Sequence, residues 1–148
     1  MGEWASFIKA AKLVWIARGL PTPRYEMLTG GDLKGVAKRL GLPIIVKPVK
    51  EGSSIGVTRV RAASDLDEAY AAAVNYDRAV MAEKCIEGPE YTASVVDDRP
   101  LPLIRIDAPE GNYDYQNKYF TDDTKYFCPS GIRAEVEDEI RQAALKSF

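Results

Sequence analysis

Pro43-Ile44-Ile45-Val46-Lys47-Pro48, followed by Glu51-Gly52-Ser53-Ser54-Ile55-Gly56, constrains this chain more than any other stretch. A short apolar run ending in one lysine reads as a buried strand that delivers a cation to the loop behind it. Lys47 is the only charge in that strand. Glycines at 52 and 56 would let the backbone approach an anion closely, and the hydroxyls of Ser53 and Ser54 can donate hydrogen bonds to it. The same residues also describe a Gly/Ser turn between two strands, with Lys47 snorkelling at a strand end. Taken alone, the stretch leaves both readings open.

The flanking chain predicts alternating helices and strands. Residues 5–18 suit a helix with Ile8, Ala11 and Trp15 on one side, closed by Gly19 and Pro21. Pro21-Thr22-Pro23 forces an extended segment. Asp32 is an N-cap for a short helix whose Leu33, Val36, Ala37 and Leu40 share a face, and Gly41 before Pro43 ends it. Beyond the glycine loop, Val57-Thr58-Arg59-Val60 alternates as a half-buried strand, so strand, loop and strand form a hairpin-like unit. Ser64 with Asp67 predicts a capping box for a helix burying Leu66, Ala69, Tyr70, Ala73 and Val74. Ala79 to Ile86 is a second apolar strand ending in charge, which puts Glu83 and Lys84 near the edge of the same layer as Lys47. Glu87-Gly88-Pro89-Glu90 is a turn and a candidate boundary between lobes. Tyr91–Val96 and Leu103–Ile106 read as antiparallel strands joined at Asp97-Asp98-Arg99-Pro100. Residues 109–130 show no period, but Tyr113, Tyr115, Tyr119 and Tyr126 lie there among Asp114, Lys118, Asp122, Asp123 and Lys125, which suits a functional loop and leaves open a surface loop whose tyrosines cover a core edge. A last helix begins at Ala134, with Val136, Ile140 and Ala143 on one face.

Composition narrows the function classes. At 148 residues the chain fits one domain or two small lobes sharing a cleft. No apolar run reaches the length of a membrane span and no signal-peptide pattern opens the chain, so a cytoplasmic location is expected. Cys85 and Cys128 lack metal-site spacing and read as reduced core residues, and with no histidine a zinc site or a histidine-based triad is excluded. A net charge of −2 without a basic cluster gives no expectation of nucleic-acid binding.

Ile45-Val46-Lys47-Pro48, Glu51 to Gly56, Glu83-Lys84, Gly88-Pro89-Glu90-Tyr91-Thr92, Tyr113-Asp114-Tyr115, Lys118-Tyr119 and Thr124 to Pro129 occur in an order and spacing that resembles the D-alanine–D-alanine ligase family of ATP-grasp enzymes. The resemblance runs from Lys12-Leu13-Val14-Trp15 to the end of the chain. It implies an α/β (α+β type) fold, with a mostly antiparallel sheet and helices on one face in a central lobe at residues 12–87. Residues 1–11 would be a non-matching segment and 88–148 the beginning of a truncated second lobe. It implies ATP as cofactor and D-alanine as substrate, joined through an acyl phosphate in bacterial peptidoglycan synthesis. Lys47 and Lys118 would bind phosphate oxygens, with Ser54 beside them. Glu83, Lys84 and Ile86 would meet the adenine, and Glu90 the ribose hydroxyls. Ser53 and Tyr119 would be the catalytic pair, closing the glycine loop and the long loop over the substrates.

Three departures from the family pattern carry their own expectations. No counterpart of the family's separate first domain precedes residue 1. A lysine that the family carries just upstream of Lys12 to touch phosphate is displaced or lost, since this chain has Phe7-Ile8-Lys9. The chain also stops at Phe148, before the family's oxyanion arginine and its magnesium ligands, so no metal ligands are expected here and the fragment should not ligate alone. Exposed apolar sheet edges would then favour a homo-oligomer, by dimerisation or by strand exchange between chains. A non-catalytic ATP-binding module and a self-associating structural fragment are the alternatives.

Overall fold

The computed structural model describes residues 7–109, 113 and 115–147. Of the sequence-based expectations, those on Met1 to Ser6, residues 110–112, Asp114 and Phe148 lie outside these residues. The described chain divides into two compact units, one holding the residues up to Val14 together with Pro21–Ile86, the other Trp15–Leu20 together with the chain from Glu87 onward.

In the first unit four antiparallel strands form a sheet in the order β1-β4-β2-β3, with β1 at Tyr25–Leu28, β2 at Ile44–Pro48, β3 at Thr58–Val60 and β4 at Val80–Lys84. Two helices, α2 at Leu33–Leu40 and α3 at Leu66–Val74, bury Leu33, Val36, Ala37, Leu66, Ala69 and Ala73 against Leu28, Ile44, Val46, Val60, Val80 and Ala82. Because side chains alternate along a strand, this apolar set defines the helix-covered face of the sheet. Ile45, Lys47, Met81, Glu83, Tyr25 and Met27 belong to the opposite face, with Tyr25 and Ile45 flanking Glu83 in register and Met27 and Lys47 flanking Met81.

The helix starts follow their sequence signals unequally. Asp32 caps α2 as expected, its Oδ1 accepting from the Gly35 N–H at 2.9 Å. The expected Ser64 capping box does not form: Ala63–Asp65 is a 3-10 turn, and the Ser64 hydroxyl donates to the Asp65 carboxylate. That bond directs the Ser64 hydroxyl to its neighbour's carboxylate rather than to the N–H groups of the first helical turn, the local hydrogen bonding to which serine is prone. The first helix, α1 at Phe7–Ala17, continues through Gly19 at positive φ into the extended segment.

The second unit holds β5 (Glu90–Thr92), β8 (Ile104–Asp107) and β9 (Lys125–Phe127) as an antiparallel sheet in the order β5-β8-β9. The strand expected at Tyr91–Val96 is broken in two. Val95–Val96 (β6) turns at Asp97-Asp98 to pair with Arg99–Pro100 (β7), both aspartates having positive φ, as a two-residue hairpin requires. The aperiodic stretch also contains order that its pattern does not announce, a short helix α4 at Tyr115–Tyr119 and the strand β9. The final helix, α5 at Ala134–Ser147, is tied down by Glu137, which accepts from the Leu103 N–H at 3.1 Å and from the buried Ser130 hydroxyl at 3.3 Å.

Candidate functional site

On the face of the first unit's sheet opposite α2 and α3, β2 and β4 bring Lys47 and Glu83 into an ion pair, with a hydrogen bond from Lys47 Nζ to Glu83 Oε1. A third charge completes the cluster: Lys12, on α1, places its Nζ 2.9 Å from Glu83 Oε2. Side-chain exposure is 4% for Lys12, 12% for Glu83 and 18% for Lys47, so Lys47 is the member nearest to solvent. Lys12 also donates to Thr22 Oγ1 at 2.8 Å and to the Pro23 carbonyl at 3.1 Å, and lies 5.2 Å from the centre of the Tyr25 ring. Burial alone would push the Glu83 carboxyl up; hydrogen bonding and charge from Lys47, then from Lys12, outweigh it and hold the carboxyl below its ordinary value of 4.5. Two cations share one carboxylate, so the cluster retains a net positive charge at neutral pH.

Lys12 is the member that sequence reasoning missed. It sits with Ile8, Ala11 and Trp15 on one helical stripe at i, i+3, i+4 and i+7, and a lysine on the inward side of such a stripe is the available signal. Lys9, three residues earlier, is exposed.

Ser53 and Ser54 lie in the loop that follows β2, at φ of 54° and 63°. Two consecutive non-glycine residues in the left-handed region are uncommon, and their placement turns the backbone sharply at the loop's centre. The two loop glycines differ in what they do. Gly52 has open space around it, whereas a side chain on Gly56, at φ +68°, would meet the Tyr76 ring at 2.7 Å and Pro48 at 3.1 Å. Gly56 therefore lets the loop close down on its own unit.

Lys84 follows Glu83 but belongs to the other face. Its ammonium donates to the carbonyls of Gly41 at 3.0 Å and Leu42 at 2.8 Å, capping the C-terminal end of α2, where cations are favoured. Its backbone N–H is bonded to the Arg24 carbonyl. Ile86, just past the strand, is exposed.

In the second unit Glu90 lines an open cleft of about 320 Å³ with Gly88, Pro89, Arg105, Ile106, Asp107 and Ala108. Arg105 is held across the strand pair by the Phe127 ring, 4.5 Å away. Lys118 lies 4.9 Å over the Tyr113 ring, and Tyr119 packs against Tyr115 with centroids 5.2 Å apart. The Tyr113 hydroxyl is 2.9 Å from that of Tyr126, a hydrogen bond that pushes its pKa up to about 12. Cys85 and Cys128 are both free thiols. Only Cys85 is buried; Cys128 extends the exposed strand β9 and does not join a core.

Lysines, serine hydroxyls and a solvent-facing loop suit the phosphates of a nucleotide. Among the described residues, no group of three or more His, Cys, Asp or Glu is placed to hold a metal ion, and no helix is long and apolar enough to cross a membrane.

Comparison with known proteins gives this geometry its context. The family profile described as "D-ala D-ala ligase C-terminus" matches residues 14–148. D-alanine--D-alanine ligase of Azoarcus sp. (strain BH72) is 54% identical over 148 residues, covering 99% of this chain and 47% of the relative. Among solved structures, D-alanine--D-alanine ligase from Bacillus anthracis superposes with a TM-score of 0.77 at 30% identity, covering 95% of this chain and 47% of that one. VanG D-Ala:D-Ser ligase from Enterococcus faecalis gives 0.72 at 30% identity, covering 95% and 43%. The chain thus spans about half the length of the relatives it matches. Its mixed α/β architecture with antiparallel sheets is that of these ATP-grasp ligases, and with the profile covering all but its first residues, the chain belongs to the D-alanine–D-alanine ligase family.

Proposed function

We propose that this chain carries the ATP grip of a bacterial D-alanine–D-alanine ligase working in the cytoplasm, with ligation itself a property of the whole protein. The observation that carries the reading is Lys47, fixed by Glu83 on the sheet face opposite α2 and α3 and followed closely by the glycine-serine loop. A cation held in place by packing needs no reorganisation as phosphoryl charge moves, which is how preorganised charge lowers a barrier. In the proposed reaction a D-alanine carboxylate attacks the γ-phosphorus and ADP leaves. The amine of a second amino acid then displaces phosphate from the acyl phosphate. Magnesium, when bound, neutralises phosphate charge.

Each residue then has a role. Lys47 and Ser54 hold phosphate oxygens, and Lys118 approaches the γ-phosphate from the tyrosine-rich segment. Glu83 and Ile86 meet the adenine, Ile86 offering exposed apolar surface. Lys84 serves through its backbone carbonyl, since its ammonium is bound to the end of α2. Glu90 accepts from the ribose hydroxyls in its cleft, and Ser53 with Tyr119 closes the site against water. Self-association belongs to the same proposal, because Leu13, Val14 and Ile16 expose apolar surface on α1; sedimentation velocity showing a monomer at every concentration removes that part.

Calorimetric titration with ATP tests the central claim. Saturable heat that Lys47→Ala reduces by at least about tenfold is the expected result, and no heat at any ATP concentration overturns it. D-alanine-dependent phosphate release, assayed on the same sample, distinguishes ligation from binding alone.

A further inference from the structure

We infer that Lys12 is a positioning residue for phosphate binding: by neutralising Glu83, it keeps the positive charge of Lys47 available to an anion. The inference rests on the proposed ATP reading and adds a residue to it. A lysine paired one-to-one with a glutamate forms a neutral unit with little pull on phosphate. Here the second oxygen of Glu83 is taken by Lys12, so the cluster keeps one positive charge and Lys47 is its most exposed member. Lys12 does not reach a ligand itself. An ammonium has three N–H donors, and those of Lys12 are engaged by Glu83 Oε2 at 2.9 Å, Thr22 Oγ1 at 2.8 Å and the Pro23 carbonyl at 3.1 Å, on a residue only 3% exposed. Among the described residues Lys47 commits a single N–H, to Glu83, and two are left. Lys12 therefore sets the charge, and Lys47 presents it.

The test uses inorganic tripolyphosphate as the probe on the 148-residue chain, which reads phosphate affinity without any contribution from adenine. Lys12→Met leaves Glu83 to cancel Lys47 and should weaken tripolyphosphate binding by about tenfold or more. Adding Glu83→Gln to that variant removes both charges together, leaves Lys47 as the lone cation, and should restore affinity to within about threefold of wild type. A merely structural lysine would lower the melting temperature and leave affinity unchanged, which overturns the inference. A lysine that touched phosphate directly would lose affinity in both backgrounds, which also overturns it. If Lys12→Met alone does not fold, the double variant still decides, because a tenfold loss there contradicts charge balancing. Wild-type protein that binds neither ATP nor tripolyphosphate defeats the ATP reading along with this one; binding that Lys12→Met does not change defeats this one alone.

Discussion

At the scale of single residues, Glu83 links the site to pH. Its carboxyl titrates below its ordinary value of 4.5 in the folded chain, so below that value the unfolded chain binds protons that the folded chain does not. The stabilisation is fully present above 4.5 and is lost as pH falls through the depressed folded value. Urea midpoints measured from about pH 6 to pH 3 should therefore fall more steeply for wild type than for the Lys12→Met/Glu83→Gln variant; parallel curves would remove Glu83 from the acid response. Ser53 offers a contrasting case. A non-glycine residue at φ 54° is strained, so Ser53→Gly should gain roughly 0.5–1 kcal/mol of stability. The lost hydroxyl should weaken ATP binding in calorimetry, and a variant that gains both stability and affinity would contradict its role at the site. Lys47 was legible in the sequence because a lone charge in an apolar strand stands out. Lys12 was not, because the partners that make it a buried residue, Thr22, Pro23 and Glu83, come from elsewhere in the chain.

At the scale of elements, periodicity announced most directly the elements that alternate between buried and partly buried positions. β2 alternates fully buried and half-buried positions, and α2 and α3 present the apolar residues their spacing predicts. β1 has one buried residue, Leu28, and β9 has none, so neither carries an alternation to detect; pairing with β4 and with β8 makes them strands. Tertiary context outweighs local pattern in both. The β6–β7 hairpin gives a stability test. Asp98 sits at φ 60° in a turn whose preferred sequence is Asp-Gly, so Asp98→Gly should raise stability by about 0.5–1 kcal/mol in chemical denaturation. Asp32→Ala should instead cost about 1 kcal/mol through loss of the α2 cap. An unchanged denaturation midpoint in either variant would show that local turn or cap chemistry is overridden there.

At the scale of the molecule, the two units share the chain unevenly. The residues up to Val14 count with the first and Trp15–Leu20 with the second, and the chain returns to the first at Pro21 before leaving it at Ile86. The second unit's claim on this small segment is concrete, since the Arg18 guanidinium donates to the Lys146 carbonyl at 3.0 Å. A gene cut at Ile86/Glu87 would consequently yield one piece with a surplus segment and another missing part of its own surface. Anyone exchanging this half-ligase between relatives, or shuffling its parts, has to move residues 15–20 together with 87–147. Here the unit of inheritance is discontinuous, and a recombination breakpoint that respects the fold needs three junctions rather than one.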